Sequence, residues 1–145
     1  MNASLSEGTP LRTYHRSGGV SEKVDAAVIG AVVDDFYGVA RQDAELGPVF
    51  DAHVADWDRH LATMRRFWAT VLLGERGYAG NPMVKHQGVP ELSADLFRRW
   101  LDLFSQTLAR HCDPDDAATW EATARRMGFA MSSRMGFRQI EDLLP

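Results

Sequence analysis

Apolar residues recur along this chain at intervals of three and four, the spacing of one face of an α-helix. The first such stripe is Val24, Ala27, Val28, Ala31, Val32, Asp35, Phe36 and Val39, with Tyr37 just off its centre. Ser21 is placed to cap it. Leu46-Gly47-Pro48 breaks the pattern, because Gly and Pro interrupt regular structure. Residues 47–56 then read as a turn holding Phe50 and His53.

A second helix is predicted from about Asp56 to Leu73, with Trp57, Leu61, Met64, Phe67, Trp68, Val71 and Leu72 on its apolar face. His60 shares that face, one turn before Met64. Arg59, Arg65 and Arg66 lie to the other side as solvated charges, and Gly74 and Gly77 end the helix. Ser93 caps a third helix whose stripe is Leu96, Phe97, Trp100, Leu101, Phe104 and Leu108. Asp113-Pro114 restarts the chain as a fourth, since Pro fits the first helical position. That helix carries Trp120, Ala124, Met127, Met131 and Met135 on one face, and beyond Gly136 the chain is expected to fray.

Between the second and third helices lies Asn81-Pro82-Met83-Val84-Lys85-His86-Gln87-Gly88-Val89-Pro90. Pro82 can open a helical turn and Gly88 and Pro90 close it quickly. His86 therefore rides on a short, stiff pedestal. Such a pedestal suits a metal-ligating imidazole beneath a flat cofactor, or simply a surface histidine. No sustained period-two alternation occurs, so no strand is predicted. The fold class is all-α with four main helices, and residues 1–20, polar and without periodicity, read as a flexible tail.

At 145 residues the chain makes one domain able to bury a core. Its formal net charge of −4 weighs against nucleic acid as a partner. Cys112 is the single cysteine, which rules out an internal disulfide and suits a reducing cytoplasm. No signal-peptide core and no membrane-spanning run occurs. Phosphate-loop, H-E-x-x-H, C-x-x-C and G-x-S-x-G motifs are absent. A mononuclear metal site from His53, His60, His86 and a carboxylate is conceivable but lacks ligand spacing.

Taken together, Phe36-Tyr37, Leu46-Gly47-Pro48-Val49-Phe50, Trp57-Asp58-Arg59-His60, Phe67-Trp68, Leu72-Leu73-Gly74, Tyr78-Ala79-Gly80-Asn81-Pro82, His86 and Trp100-Leu101-Asp102-Leu103-Phe104 resemble a family. The chain looks like a bacterial truncated haemoglobin, most like group III, over roughly residues 24–135. The resemblance implies a truncated-globin domain over 21–138, flanked by the 1–20 tail and a frayed 139–145. It implies a two-over-two helical sandwich enclosing haem b, with His86 as the axial ligand of the iron. Tyr37, Trp100 and His60 would stabilise a diatomic ligand on the distal side. Phe50, Met64 and Phe67 would wall the cofactor; at Met64 the family more often has isoleucine or leucine. Expected partners are oxygen, carbon monoxide, nitric oxide and an electron-donor reductase, in the cytoplasm, with neither nucleic acid nor membrane. Redox chemistry of oxygen, nitric oxide or peroxide is expected over oxygen transport, as a nitric oxide dioxygenase or peroxidase-like activity with an external reductant. The alternatives are a haem-based sensor acting through a partner protein and a haem-free helical interaction domain.

Overall fold

The computed structural model describes residues 19–78 and 93–134. His86, residues 1–18 and the chain from 135 onward lie outside the described residues. Five helices are present among those described: α1 (Ala26–Ala40), α2 (Leu46–His53), α3 (Trp57–Leu73), α4 (Ala94–His111) and α5 (Pro114–Arg134). Two pairs, α1 with α3 and α4 with α5, are bridged by α1 against α4. This is the all-α, two-over-two arrangement. No described helix is long and apolar enough to cross a membrane.

Local chemistry sets the helix ends. Asp56 caps α3 by accepting from Arg59 N at 3.1 Å, and Gly74 ends it in the left-handed conformation, φ 73°. Ser93 caps α4 through Leu96 N at 3.1 Å. The cap of α1 is Asp25 rather than Ser21, accepting from Val28 N at 2.9 Å. Ser21 is engaged elsewhere: its N–H and hydroxyl donate to the Asp116 carboxylate at 2.8 and 2.6 Å. That pair ties the segment before α1 to the first turn of α5. Val20 beside it is wholly buried, so the packed chain already includes the last residue assigned to the tail.

The second departure is α2, where a turn is predicted from sequence. Pro48 stands at the third position of this helix, where its missing N–H would have had no intrahelical partner. Gly47 permits a close approach: a Cβ there would lie 2.5 Å from the carbonyl oxygen of Arg41. Asp43 completes the corner. Its carboxylate accepts from the N–H groups of Glu45 and Leu46, at 3.1 and 3.0 Å, and from Arg99 of α4 at 2.9 and 2.6 Å. The Arg99 guanidinium, with those backbone donors, holds the Asp43 carboxyl below the usual carboxylate range.

Aromatic rings fill the centre. Phe36 meets Phe104 edge to face at 5.2 Å, and Phe104 stacks on both Trp100 at 4.7 Å and Trp68 at 5.5 Å. Trp120 closes this cluster, fully buried. Polar pairs hold α1 from outside. Asp35, half-buried on the predicted apolar stripe, accepts from Arg110 at 2.9 Å and lies 2.8 Å from His111 Nε2. Arg65 of α3, expected as a solvated charge, pairs with Asp34.

Val20 and Val39 make a matched test of where the core begins, since Val39 is 39% exposed. Val20→Ala is expected to cost about 1–3 kcal/mol, and Val39→Ala to stay within about 0.5 kcal/mol, in chemical denaturation. Equal and small effects would return Val20 to the tail.

Candidate functional site

Tyr37 reaches its position because α1 turns two neighbouring aromatic residues into different surroundings. Phe36 enters the aromatic core, and Tyr37, 5% exposed, faces a cavity of about 330 Å³. Helices α1, α2 and α3 supply one side through Tyr37, Val49, Phe50, His53, His60, Thr63, Met64, Phe67 and Trp68. The other comes from α4 and α5 through Leu96, Phe97, Trp100, Leu101, Ala124, Met127 and Gly128, with Leu46, Val54 and Tyr78 completing the lining.

No Asp, Glu, Lys or Arg is among these residues. The lining is mainly apolar, with a few ring-borne polar groups and the Thr63 hydroxyl, the ordinary composition of a pocket for a flat organic cofactor. The rings pack at defined angles. Tyr37 meets His60 at 5.0 Å and Phe50 at 5.4 Å, both edge to face. Trp57 backs them, 5.6 Å from His60 and 5.9 Å from Tyr37, and itself carries the Arg41 guanidinium 4.1 Å above its ring. Trp100 is held by Phe36 at 5.0 Å and by its stack on Phe104.

Burial alone drives the Tyr37 hydroxyl far above the ordinary phenol range. Desolvation penalises the phenolate, so Tyr37 stays a proton donor at any working pH. Tyr37, Phe50, His60, Met64, Phe67 and Trp100, six of the seven residues singled out from sequence, meet at this one cavity. The seventh, His86, lies outside the described residues.

His53, Thr63 and Tyr78 line the cavity without having been singled out. His53 was legible only if α2 was: three residues after Phe50, it falls on the same helical face. Thr63 follows His60 by the same interval. Leu96, Phe97 and Leu101 were read as plain core, and periodicity does not distinguish a core wall from a cavity wall. Among the described residues no group of three or more His, Cys, Asp or Glu could hold a metal ion directly.

The comparisons agree with this geometry. No family profile matches the chain. The chain is 35% identical over 91 residues to the group 3 truncated hemoglobin ctb of Campylobacter jejuni, covering 60% of this chain and 72% of that protein. The crystal structure of group III truncated hemoglobin from Campylobacter jejuni superposes with a TM-score of 0.74 at 28% identity, over 80% of this chain and 94% of that one. The chain therefore belongs to the group III truncated haemoglobins. A globin fold implies haem, and the cavity fits one: its walls are mostly apolar, and its polar side chains are those of two tyrosines, two tryptophans, two histidines and Thr63.

The state of Tyr37 can be read in an alkaline titration. Free phenols ionise near pH 10, and a raised value delays ionisation. The tyrosinate absorbance that develops up to about pH 11 in the folded chain should be the same in wild type and Tyr37→Phe. A smaller signal in the variant would mean that the hydroxyl is solvated.

Proposed function

We propose that this chain holds haem b in the cavity, ligated by His86, and binds oxygen and other diatomic gases there for redox chemistry. The observation that carries the reading is the buried hydroxyl of Tyr37, its ionisation opposed by desolvation, on the same cavity as Trp100 and His60. When bound, haem supplies an iron centre with affinity for diatomic ligands. The protein's part is to bind, orient and exclude water.

Phe50, Met64, Phe67 and Phe97 give the cofactor apolar walls that keep the site dry. His86 would hold the iron through a neutral imidazole. Tyr37 O–H and Trp100 N–H donate to the partial negative charge of a diatomic ligand, and donors to charged acceptors are the strong class of hydrogen bond. His60, in ring contact with Tyr37, adds a third polar group beside the phenol.

Several donors around one ligand slow its release, which suits chemistry on oxygen better than transport. Oxidation of nitric oxide by oxygen to nitrate and reduction of peroxide are the reactions this pocket favours. Both consume electrons over a catalytic cycle, so the partner is an electron-donating protein, and the setting is the cytoplasm.

The test compares two gases. A hydrogen bond to a partly charged acceptor contributes about 1.5–3 kcal/mol. Tyr37→Phe and Trp100→Phe should therefore each speed oxygen release by roughly ten- to a hundred-fold. Carbon monoxide carries less charge on its outer atom and should be released at nearly the wild-type rate. Stopped-flow measurements on both variants and on the double mutant decide it, because donors that share one ligand need not act additively. Equal acceleration for both gases would indicate a change of pocket volume, and no acceleration for oxygen would remove the two donors from this role.

A further inference from the structure

The cavity walls carry no charge, whereas haem carries two carboxylates. A carboxylate is costly to bury without a partner, so the propionates must leave the cavity where a cation or water meets them. A cation at the rim would hold such a carboxylate in place as water does not.

We propose that Arg66, presented by Thr63, is a carboxylate-binding site at the cavity rim and takes a haem propionate; this rests on the haem reading above. Thr63 lines the cavity, and its hydroxyl accepts from Arg66 Nη2 at 3.3 Å while donating to the Arg59 carbonyl at 2.9 Å. The arginine stem runs along Gly77, where a Cβ would stand 3.7 Å from Arg66 Cδ and 3.9 Å from Cγ. Tyr78, the next residue, also lines the cavity. Arg66 thus bonds one lining residue and runs past the chain neighbour of another.

Among the described residues its charge has no carboxylate partner, whereas Arg65, Arg98, Arg99, Arg110 and Arg125 are each paired with one. Among the described residues one of the five guanidinium N–H donors is used, on Thr63, and none of these residues brings a carboxylate to the fork. Arg41 lies over Trp57, a residue behind the cavity lining rather than part of it.

The test uses the full chain, two porphyrins and two variants. Arg66→Met keeps the stem and removes the charge; Arg66→Lys keeps the charge. Each is loaded with haemin or with haemin dimethyl ester, and porphyrin loss to an excess of a haem scavenger is timed. Arg66→Met should lose haemin about ten-fold faster than wild type, the effect of removing one charge-assisted hydrogen bond. Arg66→Lys should stay within about three-fold. The dimethyl ester has no carboxylate, so its loss should be alike in all three proteins. Unchanged haemin loss in Arg66→Met, or equal acceleration for both porphyrins, would overturn the assignment. A wild-type chain that binds neither porphyrin would instead overturn the haem reading, and this site with it.

Discussion

Phe36 and Tyr37 meet edge to face at 5.0 Å, yet one belongs to the core and the other to the cavity. The architecture depends on that division. α1 must pack against α4 closely enough for Phe36 to reach Trp100 and Phe104, which fixes the indole at one edge of the cavity. It must also set α3 so that Tyr37 meets His60 ring to ring at the cavity wall. An apolar cavity forgoes the dispersion contacts that a filled one would make. A bound porphyrin would supply them.

The polar bonds around the cavity hold it in shape more than they add stability. Exposed pairs such as Lys23 with Asp113 contribute little. Asp43 differs, because its side chain is 7% exposed and its oxygens take donors from both the α2 corner and Arg99. It thereby binds the helix that carries Phe50 and His53 to the residue preceding Trp100. Both sides of the cavity are referenced to one carboxylate.

Much of this was readable from the residues. The long helices announce themselves by periodicity, and the Asp-Pro restart and the caps at Ser93 and Gly74 stand where the structure has them. α2 was not readable: eight residues are too few for a period to show, and its Gly and Pro read as a break. Their real reasons are tertiary, a backbone approach at Gly47 and a first-turn position for Pro48. Ser21 misled for a similar reason, since its carboxylate partner Asp116 is 95 residues away in sequence. The cavity residues were identified by an ordered set of motifs, not by periodicity, which reads Phe67, Leu96 and Leu101 alike as core.

The central claim is that this cavity is a haem site with His86 as the iron's protein ligand. Titration of the haem-free chain with haemin, followed by absorption and repeated with His86→Ala, tests it most directly. The account predicts uptake of one equivalent per chain with a sharp Soret band in wild type, and no stable uptake in His86→Ala. A wild-type chain that takes up no haemin, or a His86→Ala variant that matches it in stoichiometry and ferrous spectrum, would contradict it.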